Sequence, residues 1–257
     1  MSYFRVKKQM FYHIIFDKRV KLLLNLLKRI FLYINKFYLC VNKFFTLFIV
    51  MKIICVGLNY QAHNVEMKNP VCDAGDNPVL FLKPDSALLK DGKPFFVPDF
   101  SNEIHYEVEL VVKINRLGKN IAERFASRYY DEITLGIDFT ARDLQNEMKK
   151  KGFPWEVSKA FDNSAALGKF IPKNTLDKAI YSLDFSLYKN DMCVQKANTS
   201  EMIHSVDKII AYASRFFTLK IGDIIYTGTP AGVGAVSIGD HLEGFLENHK
   251  LLDFYIR

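Results

Sequence analysis

The sequence contains few cysteines and no close pair of them. Its four cysteines are scattered along the 257 residues: Cys40, Cys55, Cys72 and Cys193. Structural zinc sites and dithiol redox centres need cysteines a few residues apart. The spacing excludes both kinds of site, and reduced thiols in a cytoplasmic protein are the simplest interpretation.

The sequence also lacks a long uninterrupted apolar run near its start. A membrane-spanning helix needs about 20 apolar residues in succession, and basic residues interrupt every candidate window in residues 1–50. A secretory signal with an unbroken apolar core is not evident either. Two interpretations of this basic segment stay open: an amphipathic helix on a membrane surface, and nucleic-acid binding, which no recognised motif supports.

Glycine and proline are absent from residues 1–50, whereas the remaining 207 residues hold all 13 glycines and all 8 prolines. Ten lysines and arginines against one aspartate give the first segment a charge of +9, so residues 51–257 contribute −2 to the total of +7. The Lys, Phe, Ile, Tyr and Asn bias is typical of translated AT-rich non-coding sequence. We therefore predict that residues 1–50 are a basic aromatic extension that is not natively translated, that the start is Met51, and that residues 51–257 form one globular domain.

No nucleotide-binding loop is present, although residues 222–234 are rich in glycine. Neither Gly-Lys-Ser/Thr nor a helix-opening Gly-x-Gly-x-x-Gly occurs there. The Gly-Thr-Pro turn at residues 228–230 either brings backbone N–H groups close to an anionic ligand or turns a corner.

What the sequence does contain is a strongly alternating stretch at residues 104–114. Apolar side chains occupy every second position and predict a half-buried strand. The other face carries Glu107 and Glu109. Two like charges on one strand face repel each other unless a cation lies between them, so this face is either a cation site or a solvated surface.

Four further polar residues have both a functional and a structural interpretation. His63 and Glu66 are three residues apart, and on one helical turn they would form either a general-base pair or a surface pair. Asp138 follows an apolar strand and either joins a site or begins the next helix. Lys159 lies among aromatic residues. A lysine in such surroundings either extends its ammonium group to water or has a functional role.

The order of elements predicts an α+β domain. Short strands come first, helices are few, and no regular βαβ alternation occurs. The sheet should be highly twisted and mostly antiparallel or mixed.

Several segments together resemble the fumarylacetoacetate hydrolase family, in its short acylpyruvase and oxaloacetate-decarboxylase-like branch. They occur in the family's order and cover nearly all of residues 51–257: 59–66, 81–84, 105–110, 138–145, 159–162 and 222–234. Two departures are Leu58, where many members carry a basic residue, and residues 248–250, where a glycine turn is usual.

The resemblance implies a homodimer with a partly open β-roll, and a divalent metal held by Glu107, Glu109 and Asp138. Three carboxylates without cysteine or histidine suit a hard cation, Mg²⁺ or Mn²⁺. The resemblance also assigns the general-base pair to His63 and Glu66, and stabilisation of an oxyanion or enolate to Lys159. Its substrate contacts correspond to four residues: Lys83, Arg142, Gln145 and Thr229.

The predicted function is metal-dependent hydrolysis of the C–C bond of an acylpyruvate or fumarylpyruvate through a metal-stabilised pyruvate enolate. Alternatives on the same site are oxaloacetate decarboxylation and a dienoate isomerase or hydratase reaction of aromatic catabolism. A non-catalytic 2-oxo-acid-binding protein is the rival from another class. For residues 51–257 we expect a small-molecule substrate and neither nucleic-acid binding nor stable membrane association.

Overall fold

The computed structural model describes residues 51–68, 73 and 75–257, so the predictions for residues 1–50 lie outside the described residues. The described residues form fifteen strands and five α-helices. The strands are β1 (Ile53–Gly57), β2 (Val79–Lys83), β3 (Leu88–Leu89), β4 (Ile104–Tyr106), β5 (Val108–Ile114), β6 (Tyr130–Asp138), β7 (Thr140–Ala141), β8 (Ala165–Leu167), β9 (Ile171–Pro172), β10 (Asp184–Lys189), β11 (Met192–Asn198), β12 (Ile224–Tyr226), β13 (Gly234–Ala235), β14 (His241–Leu246) and β15 (His249–Tyr255). The helices are α1 (Gln61–Glu66), α2 (Glu123–Ala126), α3 (Arg142–Lys151), α4 (Glu156–Lys159) and α5 (Val206–Phe216), and 3₁₀ turns lie at Asp85–Ala87, Lys173–Thr175, Ile180–Ser182 and Thr199–Glu201.

Three sheets organise the described part of the chain. The largest has eight strands in the order β2-β1-β12-β5-β6-β8-β3, with β9 paired to β6 beside this path. The β1–β12 and β3–β8 pairs are parallel and the remaining pairs of this sheet are antiparallel. An antiparallel four-stranded sheet (β11-β10-β14-β15) and a small three-stranded one (β13-β4-β7) complete the described strands. The predicted α+β class, with a mixed sheet forming a partly open roll and few helices, is confirmed.

The prediction of one half-buried strand over residues 104–114 was wrong in two respects. The chain forms two strands that belong to different sheets and meet at Glu107, which is in neither. The outward face of β5 is also covered: Val111 is fully buried in a second, smaller core with Ile53, Cys55 and Tyr226. Alternation reports which side chains share a face, but it does not report whether other strands cover the second face.

The pairing of β5 with β6 sets the positions of the acidic residues. The register places Val108 opposite Ile137 and Glu109 opposite Gly136. A Cβ on Gly136 would lie 2.5 Å from the ring of Tyr226, so this position leaves room only for glycine beside that ring. A shift of one residue would move every side chain of β5 to the other face.

The two longest helices of the described residues are α3 and α5. Helix α3 begins at Arg142 because Thr140 remains in β7, and Gly152 ends the helix with a φ of +68°. Helix α5 begins after Ser205, whose hydroxyl accepts a hydrogen bond from Lys208 N–H at 3.2 Å. No helix in residues 51–68 and 75–257 combines the length and apolarity needed to span a membrane.

Candidate active site

Three buried carboxylates meet at one end of the β5–β6 pair. Glu107 lies at the break between β4 and β5, Glu109 is in β5, and Asp138 ends β6. One oxygen of each lies within 4.8 Å of the others. Asp138 N–H donates to Glu107 O at 2.8 Å, so the main chain itself fixes the spacing of these two residues.

Glu107 is held by two cations. Its Oε1 accepts from Arg142 Nη2, and its Oε2 accepts from Lys159 Nζ at 2.7 Å. Burial favours the neutral acid, but the charges of Lys159 and Arg142 outweigh it and hold the pKa of Glu107 well below its usual range. Glu107 is therefore a carboxylate at any physiological pH.

Glu109 lies in the opposite electrostatic situation. Gly228 N–H donates a hydrogen bond to Glu109 Oε2 at 2.6 Å. Burial, and next the charge of Asp138, raise the pKa of Glu109 well above its usual value. A bound cation would reverse this by stabilising the ionised form, which is how metal binding couples to proton release.

Asp138 keeps one oxygen without a directed hydrogen bond. Its Oδ2 accepts from Lys159 Nζ at 2.7 Å. Its Oδ1 lies 2.7 Å from Lys83 Nζ, but Lys83 directs its protons to the carbonyl of Lys159 and to the carbonyl and hydroxyl of Ser164. This buried oxygen therefore makes an ion pair without accepting a well-aligned hydrogen bond. Three clustered carboxylates, one of them with an orphaned oxygen, fit a hard divalent cation.

Lys159 joins the carboxylates from helix α4. Its Nζ also donates to Thr140 Oγ1 at 2.6 Å, so all three ammonium protons have acceptors. Burial pushes the pKa of Lys159 down, but Asp138 and Glu107 outweigh burial and leave the pKa raised. Lys159 therefore remains a cation, which suits it to stabilising negative charge and not to removing a proton.

The predicted pair of His63 and Glu66 lies on α1, with His63 Nδ1 and Glu66 Oε2 3.4 Å apart, which is long for a hydrogen bond. Both oxygens of Glu66 lie 3.1 Å from Gly232 N–H, which holds the carboxylate in place. Burial lowers the pKa of His63, against the opposing effects of Glu107 and Glu66. The neutral imidazole can accept a proton at neutral pH, and His63 lines the cavity at this centre.

The cavity at this centre is lined by the metal-site carboxylates together with most of the predicted substrate contacts. Arg142, Gln145 and Thr229 lie on its wall, and Arg142 Nη1 donates to Gln145 Oε1 at 2.5 Å. Lys83 is placed behind the carboxylates, with a fully buried side chain. Its predicted substrate contact stays a prediction, and the structure gives it a different contact, with Asp138.

The buried side chain of Gln195, which the sequence did not predict to be functional, reaches the site from β11. Gln195 Oε1 accepts from Val108 N–H at 2.9 Å, between the two glutamates. Its Nε2 donates to Thr229 Oγ1 at 2.9 Å and to Pro230 O at 3.0 Å. The amide of Gln195 thus joins β5, which carries Glu109, to the turn at residues 228–232, and no local pattern around residue 195 indicates this.

Two glycines of that turn, Gly228 and Gly232, have a left-handed backbone conformation and donate hydrogen bonds to acidic side chains. Gly228 has a φ of +99° and Gly232 a φ of +97°. A Cβ on Gly232 would lie 2.3 Å from Val194 O, so the turn can approach β11 only with glycine there. Gly228 N–H donates to Glu109 and Gly232 N–H donates to Glu66, so one turn positions a predicted metal ligand and one member of the predicted base pair.

The chain belongs to the family described as fumarylacetoacetate (FAA) hydrolase C-terminal, whose model matches residues 52–253. It is therefore an enzyme of that family. It is 41% identical over 202 residues to oxaloacetate tautomerase YcgM of Escherichia coli, covering 79% of this chain and 91% of that protein. It is 42% identical over 204 residues to the mitochondrial oxaloacetate tautomerase FAHD1 of Rattus norvegicus, covering 79% and 90% respectively.

A solved structure gives the same assignment of fold. The fumarylpyruvate hydrolase of Pseudomonas aeruginosa, in complex with Mn²⁺ and pyruvate, superposes with a TM-score of 0.74 at 34% identity. The match covers 80% of this chain and 89% of that one.

Proposed function

We propose that the protein is a divalent-metal-dependent enzyme that converts 2-oxo acids through an enolate. The observation that carries this proposal is the convergence of three buried carboxylates, a neutral histidine and a charged lysine on one cavity. Such a site combines a Lewis acid, a base and a fixed positive charge, which are the three requirements for forming an enolate beside a carboxylate.

Glu107, Glu109 and Asp138 would hold the metal, which we propose to be Mg²⁺ or Mn²⁺. Oxygen donors without sulfur or nitrogen favour these ions. When bound, the metal would act as a Lewis acid on the keto oxygen and the adjacent carboxylate of a 2-oxo acid. The Mn²⁺ named with the P. aeruginosa hydrolase supports this choice of cation class.

The protein's own groups divide the remaining work. His63 Nε2 takes a proton, and Glu66 orients the ring through Nδ1. The Lys159 ammonium stabilises negative charge as it develops on oxygen, and Arg142 with Gln145 holds the substrate carboxylate. Each role follows from the charge state and burial of the group.

The first candidate reaction is keto–enol tautomerisation of oxaloacetate. The relatives that are 41% and 42% identical carry this name, while the hydrolase structure is 34% identical. Tautomerisation needs one proton to leave C3 and one to reach the enolate oxygen, which a single base and a nearby cation can manage without an attacking water.

The second candidate is the hydrolysis of an acylpyruvate, as predicted from the sequence. It is favoured by the P. aeruginosa fumarylpyruvate hydrolase, whose structure is named with pyruvate. Here His63 would take a proton from water instead of from carbon. Decarboxylation of oxaloacetate, the dienoate isomerase reaction, the homodimer and the cytoplasmic location stay predictions.

Turnover measurements on the full-length protein test the proposal. We expect the Mg²⁺-loaded protein to accelerate the decay of the enol of oxaloacetate. Hydrolysis is measured separately with fumarylpyruvate and acetylpyruvate as substrates. Exhaustive chelation of the metal should abolish the acceleration. Glu109→Gln should lose metal binding and activity together. His63→Ala should lose about 10²- to 10⁴-fold in turnover with near-normal metal affinity. Full activity after chelation would contradict the metal proposal.

A further inference from the structure

The loop that joins β5 to β6 lies at the end of this hairpin opposite the three carboxylates. It comprises residues 115–129, between Ile114, which ends β5, and Tyr130, which begins β6. Two to five residues usually join antiparallel neighbours, so the pairing of the strands does not require a loop of this length. Glu109 lies near the start of β5 and Asp138 at the end of β6. The loop is therefore roughly 15–25 Å from the candidate active site, at ~3.3 Å per strand residue.

The loop packs against the last turns of helix α5, and the two segments form one surface. The carbonyl and the hydroxyl of Ser214 in α5 accept hydrogen bonds from main-chain N–H groups of the loop, at 2.9 and 2.8 Å. Lys119 Nζ donates to Phe216 O at 2.8 Å. We call residues 115–129 and 212–220 together the basic surface.

The basic surface is strongly positive, although the domain that carries it is not. It has one acidic side chain, Glu123, and six basic ones, for a net charge of +5. The basic side chains are Arg116, Lys119, Arg124, Arg128, Arg215 and Lys220. Since residues 51–257 sum to −2, the remainder of that domain sums to −7. Positive charge is thus concentrated in one part of the domain.

These charges are exposed and are not neutralised within the domain. All six basic side chains are exposed to solvent, and none of them forms an ion pair with a carboxylate of the described residues. Two acids at the border of the surface, Asp131 and Asp207, interact electrostatically with a further lysine, Lys173. The basic surface can therefore attract an anionic partner.

Large apolar side chains lie between these charges. Leu117 is 64% exposed, Phe216 55% and Phe125 39%. The guanidinium groups of Arg124 and Arg128 lie 4.8 and 4.9 Å from the centroid of the Phe125 ring. Basic side chains interleaved with exposed apolar ones are typical of surfaces that bind lipid bilayers, where the apolar groups enter the headgroup region and the charges contact anionic headgroups.

We propose that the basic surface is a docking site for a bilayer that contains anionic lipids. Each lysine or arginine near such a bilayer strengthens binding about fivefold. A nucleic acid would match the charge equally well, but Leu117, the most exposed apolar group of the three, is aliphatic and offers no ring on which a base could stack. The binding is electrostatic and reversible, so it differs from the stable membrane association that is not expected for residues 51–257. The catalytic groups take no part in it, and the proposal does not rest on the proposed function.

Co-sedimentation of the full-length protein with lipid vesicles tests this proposal. The vesicles contain either phosphatidylcholine alone or phosphatidylcholine and phosphatidylserine in equal amounts. We expect the protein to bind the anionic vesicles about tenfold or more tightly than the neutral ones. Binding should fall when the salt concentration rises from about 0.1 M to about 1 M, because the Debye length shortens from ~10 Å to ~3 Å.

Variants of the basic surface identify the side chains responsible. The double variant Arg124→Gln/Arg128→Gln should bind the anionic vesicles about 20-fold more weakly, at about fivefold for each lost charge. Leu117→Ser leaves the net charge unchanged and should weaken binding about threefold or more, because an apolar group no longer enters the headgroup region. Both variants alter exposed side chains and should unfold at the wild-type temperature.

The double variant Lys90→Gln/Lys93→Gln is the matched control, because it removes two exposed charges outside the basic surface. Residues 1–50, with their charge of +9, are present in every variant, so their contribution cancels in the comparison. The control should bind like the wild type. Wild-type binding by Arg124→Gln/Arg128→Gln or by Leu117→Ser would overturn the proposal. So would a wild-type protein that binds single-stranded RNA but not anionic vesicles, a result that would assign the surface to nucleic acid.

Discussion

Glu107 and Glu109 are chemically identical and two residues apart, yet their surroundings shift their pKa values in opposite directions. Lys159 and Arg142 hold Glu107 ionised, whereas burial and Asp138 favour the protonated form of Glu109. Glu107 would then be ionised at all times, whereas Glu109 would ionise when a cation binds. Such a site does not accumulate excess negative charge before the cation is bound.

Burial lowers the pKa of His63 and Glu66 partly opposes this, so the pH profile of the enzyme should respond to Glu66. Burial lowers the pKa of His63 from its ordinary 6.5, and the base form is complete above that lowered pKa. We expect kcat/KM to fall as the pH decreases through a value below 6.5. Glu66→Gln removes a contact that raises the pKa, so the acid limb should move to lower pH while the maximum rate falls.

Glu123→Gln serves as the control for this profile, because Glu123 is exposed on the short helix α2. Its profile should coincide with that of the wild type. An acid limb that moves to higher pH in Glu66→Gln, or that does not move, would show that Glu66 does not act through His63.

At the level of whole elements, the break between β4 and β5 is what makes the site. A continuous strand would pair the main chain of residues 107 and 108 with a neighbouring strand. Glu107 O keeps such a bond, because it accepts from Asp138 N–H in β6, but Val108 N–H is satisfied by the side chain of Gln195 instead. The Gln195 side chain thus satisfies a main-chain N–H at the break between the two strands, and Glu107 lines the cavity.

Gln195→Met tests whether this side chain positions the site. Methionine has a similar volume but makes none of the three hydrogen bonds, so Val108 N–H loses its buried acceptor. We expect a loss of stability of about 1–3 kcal/mol for the unsatisfied group. We also expect a fall in kcat of about tenfold or more, because a small displacement of catalytic groups is costly.

Lys196→Met is the matched control, on the same strand but exposed. It should change neither kcat nor metal affinity. Because a purely structural defect would reduce the amount of folded protein and leave the properties of the folded fraction intact, the deciding measurements are Mg²⁺ affinity and kcat of folded Gln195→Met. Wild-type values for both would refute the positioning role.

Across the whole molecule, the proposed metal ligands would connect the occupancy of the site to stability. Glu109 and Asp138 belong to the central strands β5 and β6, whose outer neighbours in the eight-stranded sheet are β12 and β8. A ligand that binds only the folded state stabilises it, by about 2.7 kcal/mol at a concentration 100 times its Kd.

Mg²⁺ at that concentration should therefore raise the unfolding temperature of the full-length protein by about 5–10 °C, taking ~2–4 °C per kcal/mol for a domain of this size. Glu109→Gln should unfold at about the same temperature with and without Mg²⁺. Thermal unfolding in the presence of Mg²⁺ or of chelator measures both. An equal Mg²⁺-dependent shift in the variant would show that the cation binds elsewhere.

The sequence allowed prediction where contacts are local. The spacing of His63 and Glu66 on one turn and the position of Glu109 in β5 follow from helical and strand periodicity. Gln195 could not be predicted, because its partner Val108 is 87 residues away and no local pattern encodes that pairing. The position of Lys83 behind Asp138, and the second core over Val111, depend likewise on which strands become neighbours.

The pairing of β5 with β6 has a consequence for how such a protein can change over generations. Glu109 lies opposite Gly136, and a side chain on Gly136 would collide with Tyr226. Substitutions that let the two strands slide would turn Glu109 away from Asp138 as well as disturb the core. A function that depends on Glu109 and Asp138 therefore also constrains Gly136 and Tyr226, which do not line the cavity themselves.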